Sequence, residues 1–435
     1  TWDLRGDEPT TLAIALDNPG SRGFFSLYYY VTHYFLGVLP DQVWAVRLPA
    51  VLAGVLGLFA FGWLAREVLG REEAICATLL VCFGGFHIEI SQFARYYSSV
   101  FLLSSLHFLF FVRFLRTGRL SLGVLSVGLG LVTVACHFAS ALVFVVTATY
   151  CLLALRFDAL LPRPALRKPI AIALGAGVCA GLAAVPTVIK VFSVWLSYPD
   201  WNLPRWRILP SLILDHLTLP MFVAAGFGLW WLWRRGDRPV AVLAALAVGF
   251  TLLTLGLGGL LMNFAPRYGT ALFPWFYLAA GACCGAMLRS ARPQVGAVAA
   301  LAPLAILVAA SVPSAVSYFL ERQNVSYRRG LEVVLAQAVP GDLIETNVAL
   351  FPGSDAIEIA LYRSEPWNRT YPWQEALSGS DAQWFLYEVS RTGYAPALEA
   401  WLIANADKVL TQRSNRIDRH MRQLDLWKRR PKGSP

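Results

Sequence analysis

Charged residues are scarce in this chain of 435 residues: 15% are Asp, Glu, Lys or Arg, whereas 57% are hydrophobic. Soluble globular domains have about 25% charged residues. Because the deficit extends over several hundred residues, it excludes a chain that is soluble throughout, and lipid is the expected solvent for much of it. The net charge of +10 does not indicate nucleic acid, because much of it lies in short loops between apolar runs.

The motifs of soluble enzymes are missing as well. No GxSxG, HExxH or Walker pattern occurs in a suitable context, and the seven cysteines have no CxxC spacing, so they are interpreted as small apolar residues. His87 and Glu89 could form a metal pair, but residues two apart do not share a helix face. A packed, hydrogen-bonded role is favoured for both. No cofactor is predicted, and a divalent metal stays open.

Apolar runs of the length that a membrane-spanning helix needs follow one another along most of the chain. Residues 24–39 would reach only about 24 Å as a helix, whereas the hydrocarbon core is about 30 Å thick. We therefore predict that this aromatic segment lies along the membrane surface. About ten spanning helices are predicted after it, at 43–65, 74–90, 97–112, 120–136, 138–155, 169–194, 211–233, 239–260, 270–288 and 295–318.

The composition becomes polar after residue 319. Strand-like runs at 342–346, 383–389 and 424–428 alternate with helix-like runs at 355–363 and 395–410. This alternation is typical of a small α/β domain. The predicted fold is therefore a polytopic α-helical membrane protein. It has a transmembrane domain at 1–319, in which 1–42 form a non-cytoplasmic loop with interfacial helices, and a soluble α/β domain at 320–435.

Lys and Arg residues are distributed unequally between alternate loops. Fourteen lie in one set of loops, at 66–73, 113–119, 156–168, 234–238 and 289–292. Four lie in the other set, at 91–96, 196–210 and 261–269, and none lies at the turn around His137. The positive-inside rule makes the first set cytoplasmic. The second set, the N-terminal loop and the C-terminal domain are then non-cytoplasmic.

This orientation places the acidic pair Asp7–Glu8 on the same side as several arginines. These are Arg95, Arg205, Arg207 and Arg267. Guanidiniums stabilise a phosphate leaving group, and a carboxylate accepts the proton of an attacking hydroxyl. Other interpretations stay open: Asp7–Glu8 before Pro9 also resembles a helix start, and Arg95 resembles a snorkelling residue at a helix end. Arg205 also resembles an interfacial anchor beside Trp206.

Several segments, in order, resemble the polyprenyl-phosphate-dependent membrane glycosyltransferases of the GT-C class, in particular protein O-mannosyltransferases and lipid A aminoarabinose transferases. GDEPTTLAIAL resembles their Asp-Glu loop, and SLYYYVTHYFLG resembles the aromatic segment that follows it. Three later segments resemble family regions, namely WAVRLPAVLAGVLG, SQFARYYSSVFLL and PRYGTALFPWFYLAAG. The family's Pro-Pro is replaced by Phe25-Ser26, and only Arg22 is near the place where some relatives have a phosphate-binding Lys.

The resemblance implies inverting transfer of a sugar from a polyprenyl-phosphate donor to a lipid, glycan or protein acceptor. It implies that Asp7 is the base and that Glu8 supports it. The expected donor-phosphate residues are Arg95, Arg267, Tyr268 and Arg22, and the expected cavity residues are Tyr28, Tyr29, Tyr96 and Arg205. The family's first membrane helix is expected before Thr1, and a bacterial inner membrane is the expected location. The alternatives are a lipid-linked glycan ligase or polymerase, and a lipid-linked sugar flippase or transporter.

Overall fold

The protein is described from a computed structural model. The residues that it describes are 8–39, 42–161, 163–175, 177, 210, 212–213, 217–261, 266–290, 296–320, 330, 333–334, 336–337, 344–346, 368–370, 383–389, 396–413 and 423–431. They form two compact units: one from 22–28 and 47–316, and the other from 1–21, 29–46 and 317–435.

Helices make up most of the described chain. In order, they are α1 (Glu8–Asp17), α2 (Leu27–Val38), α3 (Gln42–Val68), α4 (Arg71–Cys82), α5 (Gly85–Gln92), α6 (Tyr97–Thr117), α7 (Leu120–Cys136), α8 (Leu142–Arg156), α9 (Leu219–Arg234), α10 (Arg238–Leu261), α11 (Phe273–Ser290), α12 (Gly296–Leu320) and α13 (Pro396–Asn405). Short 3-10 helices stand at Gly23–Ser26, Phe138–Ala141, Asp158–Leu160, Pro164–Leu166 and Pro266–Gly269.

Four stretches in the described residues are long and apolar enough to cross a membrane: Trp44–Val68, Tyr97–Thr117, Phe138–Arg156 and Arg238–Leu257. The predicted number of about ten is therefore not confirmed. Large apolar side chains such as Phe59 on α3, Val124 on α7 and Trp230 on α9 are exposed. Lipid contact stabilises such surfaces, which soluble proteins rarely expose over large areas. The chain is an integral membrane protein.

The predicted span 74–90 is not one straight helix. It consists of α4 and α5, which are bent by 55° at the break between them. The Phe83 N–H still donates to the Leu79 carbonyl oxygen (3.0 Å), but Gly84 has extended backbone angles and becomes the N-cap of α5. The apolar run continues through the break, which is why hydropathy alone does not reveal it. If the bent pair counts as one span, the described residues contain up to five.

Helix α11 lies in the centre of the larger unit and packs against α4 and α9. Its residues Trp275, Phe276 and Tyr277 are at most 1% exposed. A Cβ atom added at Gly281 would lie 2.6 Å from the Ala77 Cα on α4, and one at Gly228 on α9 would lie 1.7 Å from the Ala279 carbonyl oxygen. Glycines at these contacts let the helix backbones approach closely, as is common in membrane proteins.

The C-terminal part contains a mixed five-stranded sheet in the order β2-β1-β3-β5-β4. The strands are β1 (Ile344–Thr346), β2 (Asn368–Thr370), β3 (Trp384–Val389), β4 (Ala406–Arg413) and β5 (Gln423–Arg429). β1 is parallel to β2 and β3, whereas β5 is antiparallel to β3 and β4. Phe385, Tyr387, Leu402, Ala406 and Trp427 form its core.

The strands predicted at 342–346, 383–389 and 424–428 correspond to β1, β3 and β5. The helix predicted over 395–410 is correct only to Asn405, because Ala406 begins β4. The pairing of β4 with β5 and the side chains of Lys408 and Thr411, which bind the buried Asp425 carboxylate, stabilise the strand there. The helix predicted at 355–363 lies outside the described residues. The division into domains at 319 and 320 stays a prediction.

Candidate functional site

A histidine and two tyrosines stack where three breaks in the helices of the larger unit meet. The His137 ring, between α7 and the 3-10 helix Phe138–Ala141, is 4.5 Å from the Tyr96 ring at an interplanar angle of 18°. The Tyr268 ring, on the 3-10 helix Pro266–Gly269, stacks on the same imidazole at 5.1 Å and 26°. We call His137, Tyr96 and Tyr268 the ring stack.

Two arginines flank the ring stack. The guanidinium carbon of Arg95 is 5.8 Å from the centre of the Tyr96 ring, and Arg95 is only 9% exposed. The guanidinium carbon of Arg267 is 5.8 Å from the Tyr97 ring and 5.9 Å from the Tyr268 ring. These distances are in the range of cation–π contacts, which hold each guanidinium beside the stack.

Breaks in the helices bring these side chains together. Arg95 lies in the short link between α5 and α6, where its N–H donates to the Phe93 carbonyl oxygen. His137 ends α7: its backbone N–H donates to the Thr133 carbonyl oxygen (3.2 Å), and its own carbonyl oxygen accepts from the Ser140 N–H (3.0 Å). A side chain at a helix break is held by a rigid helix before it and another after it. Such positions are suitable for a binding site, because its geometry must stay fixed.

Burial and the two guanidiniums keep the His137 ring neutral. Burial is the largest cause, and the positive charges of Arg95 and Arg267 add to it, so the pKa of His137 falls from 6.5 to about 3. The guanidiniums keep their charge at any physiological pH. Two fixed positive charges beside a neutral ring in a poorly hydrated place favour an anion, because nearby cations are stabilised by an opposite charge.

Some other predicted site residues are near this cluster. Tyr28 is 2% exposed, and its ring is 6.2 Å from the Tyr96 ring in an edge-to-face arrangement. Arg22 is exposed and precedes the 3-10 helix Gly23–Ser26, and its described contacts do not bring it to the ring stack. Tyr29 is buried but belongs to the other compact unit.

The side chains of the predicted acidic pair lie outside the described part of the chain. Asp7 and Arg205 lie outside the described residues, and so does Arg207. Glu8 is the first residue of α1, but its side chain is outside the description. From the sequence, His137 is interpreted as an isolated structural histidine, and Tyr97 has no predicted role. For His137 the sequence contained a signal of proximity to the site, because it ends an apolar run on the same side of the membrane as is predicted for Arg95 and Arg267.

The described residues contain no group of three or more His, Cys, Asp or Glu side chains that could hold a metal ion. His87 and Glu89 are both buried on α5, and the His87 ring packs 4.8 Å from the Phe101 ring. Packing against Phe101 agrees with the packed role predicted for His87, whereas neither of its ring nitrogens has the predicted hydrogen bond to another described residue.

A second charged cluster joins residues of the loops that were predicted to be cytoplasmic. Glu67 at the end of α3 accepts a hydrogen bond from Arg113 at 2.8 Å. Glu73 on α4 is completely buried, and it pairs with Arg235 at 3.0 Å and with Arg289. Asp237 connects the two carboxylates, since it pairs with Arg116, a partner of Glu67, and with Arg235, a partner of Glu73. Residues of four loops that were predicted to share the cytoplasmic side therefore contact one another. This supports the predicted alternation of the loops, whereas the direction of insertion stays a prediction.

Comparison with known proteins shows the fold. No family model matches the sequence, and no curated protein matches it. The structure is similar to that of ArnT, a lipid A aminoarabinose transferase, from Cupriavidus metallidurans in the apo state. The TM-score is 0.59 at 14% identity, over 98% of this chain and 94% of ArnT. For the same protein bound to undecaprenyl phosphate, the TM-score is 0.58 at 13% identity, over 100% and 95% of the two chains.

A third similar structure is the apo form of the oligosaccharyltransferase from Archaeoglobus fulgidus. Its TM-score is 0.52 at 11% identity, over 89% of this chain and 66% of that chain. ArnT and this enzyme are both GT-C glycosyltransferases. At these identities the likeness concerns the fold alone, and it agrees with the family that the sequence segments resemble. The chain therefore has the fold of the GT-C membrane glycosyltransferases.

Proposed function

We propose that this protein transfers a sugar from a polyprenyl-phosphate donor to a lipid, glycan or protein acceptor, on the non-cytoplasmic face of a bacterial inner membrane. The observation that carries the proposal is the pair of arginines, Arg95 and Arg267, gathered beside the ring stack in a fold of the GT-C type. The reaction releases a phosphate, and guanidiniums are well suited to bind and stabilise it.

The donor binds with its phosphate against Arg95 and Arg267. The rings of Tyr28, Tyr96 and Tyr268 give the cavity aromatic surfaces for the sugar or the first isoprene units. A structure of ArnT with undecaprenyl phosphate supports a polyprenyl lipid as the ligand. Arg22 stays a candidate ligand of the donor phosphate, and Tyr29 stays a candidate for the wall of the cavity.

The acceptor enters from the aqueous side, and Arg205 stays a candidate for the wall of the cavity. Asp7 accepts the proton of the attacking hydroxyl, supported by Glu8, while the acceptor oxygen attacks the anomeric carbon from the face opposite the phosphate. This inverting displacement needs no nucleotide. If the acceptor is itself a phosphate, Asp7 only orients it, because no hydroxyl proton has to leave.

One observation favours a second candidate, the movement of a lipid-linked sugar across the membrane. Broken helices with buried polar residues are typical of transporters, and α4 and α5 form such a pair, with His87 and Glu89 buried on α5. A lipid-linked glycan ligase or polymerase would share the arginine site but would not need the Asp7 base. Enzymes and a flippase differ in whether the sugar–phosphate bond is broken.

A transfer assay tests the proposal. The purified protein in detergent receives a panel of radiolabelled polyprenyl-phosphate sugars and membrane acceptors, as wild type, Asp7→Asn and Arg267→Gln. Loss of a general base lowers rates by about 10²–10⁴-fold. Loss of one donor that stabilises developing charge lowers them by about 10²–10³-fold. We expect decreases of these sizes in the two variants.

The matched controls are Asp17→Asn, an exposed carboxylate at the end of α1, and Arg119→Gln, an exposed arginine of the opposite loop set. Both controls should transfer sugar at the wild-type rate. Full turnover by folded Asp7→Asn would remove the base assignment. Binding of the lipid without transfer from any donor would favour the flippase, and transfer of whole glycans independent of Asp7 would favour the ligase.

A further inference from the structure

His137 is the part of the ring stack to which neither the sequence nor the resemblance assigns a role. Stacking by Tyr96 and Tyr268 engages the faces of the imidazole, so only its edge, which carries both nitrogens, is available to a polar partner. Among the described residues, no group is hydrogen-bonded to either ring nitrogen. The ring is 7% exposed, so this edge belongs to a site that is almost closed to bulk water.

The groups that face the ring from neighbouring elements are tyrosines and arginines. Tyr96 and Tyr97 approach from the start of α6, and Arg95 from the link before it. Tyr268 and Arg267 approach from the 3-10 helix Pro266–Gly269. A buried imidazole in these surroundings is neutral and therefore has one N–H donor. An imidazole N–H that has no acceptor within the protein is available to a bound anion.

We propose that His137 donates a neutral N–H hydrogen bond to the same phosphate that Arg95 and Arg267 bind, as the third protein ligand of the donor. The proposal rests on the proposed function, because that function supplies the phosphate. His137 thus has a binding role in addition to its packing role, and it adds a donor without adding charge.

The charges explain why a neutral ligand suits this position. A polyprenyl-phosphate sugar is a phosphodiester with one negative charge. When the acceptor oxygen bonds to the anomeric carbon, the carbon–oxygen bond to the phosphate breaks and its electron pair stays on the phosphate. The fully ionised leaving group then has two negative charges, and the acceptor proton goes to Asp7. When His137 is neutral, the two positive charges of Arg95 and Arg267 balance the two negative charges of the phosphate. A third cation would bind the phosphate product more tightly and slow its release.

The test measures binding of undecaprenyl phosphate to the full chain in lipid nanodiscs. His137→Phe keeps a flat ring for stacking but has no N–H, whereas His137→Gln keeps a neutral N–H donor. A lost hydrogen bond to a charged group corresponds to a decrease in affinity of about 10- to 100-fold, which we expect for His137→Phe. The Gln variant should remain within about 5-fold of wild type, because it restores the donor.

His33→Phe is the matched control, because it makes the same substitution in the other compact unit, where the His33 Nδ1–H on α2 donates to the Ala15 carbonyl oxygen at 2.7 Å. This control should bind like wild type. Wild-type affinity in His137→Phe would overturn the proposal, and so would an equal loss in the Phe and Gln variants, which would indicate a packing role.

Arg95→Gln and Arg267→Gln separate the two proposals: if they lose affinity and His137→Phe does not, only the role of His137 fails. If none of the three changes affinity, the phosphate site itself fails.

A spectroscopic measurement on the wild type keeps the proposal testable if a variant does not fold. The chain has six histidines, so selective ¹³Cε1 labelling gives few signals, and the spectrum of either His137→Gln or His137→Phe, whichever folds, assigns the one of interest. On addition of undecaprenyl phosphate, the His137 signal should shift but stay at neutral-imidazole values between pH 5.5 and 8.5. A change to imidazolium values on binding, or no shift at all, would overturn the neutral-donor role.

Discussion

The completely buried carboxylate of Glu73 offers a quantitative test of the larger unit. It accepts hydrogen bonds from the Gly70 N–H at 2.6 Å and from Arg235 at 3.0 Å, and it also pairs with Arg289. These contacts join the start of α4 to the ends of α9 and α11. The perturbation is Glu73→Gln, which keeps the size of the side chain and one acceptor oxygen but removes the charge.

The expected magnitude follows from the exposure of the partners. Breaking a fully buried ion pair destabilises a protein by about 3–5 kcal/mol. The side chains of Arg235 and Arg289 are 24% and 40% exposed, so water solvates them when the carboxylate is lost. We therefore expect Glu73→Gln to lower the free energy of unfolding by about 2 kcal/mol, below the range for a fully buried pair.

The assay is equilibrium unfolding in mixed micelles of a neutral detergent and dodecyl sulfate. The control is the adjacent Glu72→Gln, because Glu72 is 55% exposed and only 3.9 Å from the same Arg289. An exposed pair contributes at most about 1 kcal/mol, so this variant should change little. A double-mutant cycle of Glu73 with Arg235 should give a coupling of about 1–2 kcal/mol. If Glu73→Gln and Glu72→Gln destabilise equally, burial does not determine the strength of this cluster and the reasoning is wrong.

Three further predictions concern packing, pH and the sheet. Gly281→Leu should prevent the packing of α11 against α4, because the new Cβ would lie 2.6 Å from the Ala77 Cα. Gly249→Leu should fold normally, because no atom lies within 4 Å of the new Cβ. Gel filtration of both variants tests this difference. The pKa of His137 is lowered to about 3 in the folded protein, so below pH 6.5 the unfolded state binds more protons than the folded state. The free energy of unfolding of wild type should therefore fall by about 2 kcal/mol relative to that of His137→Gln as the pH falls from 6.5 to 4.5. Above about pH 7.5, where the unfolded imidazole is also neutral, this difference should not vary with pH. Asp425→Ala removes a buried acceptor of three side-chain hydrogen bonds, so amide exchange should accelerate in β4 and β5 but not in α11.

Hydropathy and turn signals predicted the helices best where an apolar run ends at a charge or a glycine. The run at 97–112 corresponds to α6, which ends at Thr117 before Gly118, a residue with positive φ. The run at 239–260 corresponds to α10 almost to the residue. These ends are local, because glycine and charged side chains interrupt an apolar helix whatever surrounds it.

Prediction was weaker where distant residues decide the conformation. Gly84 interrupts the apolar run 74–90 without any change in hydropathy, and tight packing around it, including Leu80 and Tyr277, accompanies the bend. Residues 406–413 follow a helix directly, and their identity as a strand depends on pairing with β5, with an irregularity between Lys408 and Leu410. No local pattern contains such a pairing.

The sequence by itself determined that lipid surrounds much of this chain, and it predicted which loops share a side and which arginines meet an anion, because composition and charge patterns are properties of local stretches of chain. Only the tertiary structure decided that His137 lies between Tyr96 and Tyr268, beside Arg95 and Arg267. Ring stacking and the loss of a proton from a buried imidazole depend on groups brought together from distant helices. Such contacts arise from packing, and packing is a property of the folded chain as a whole.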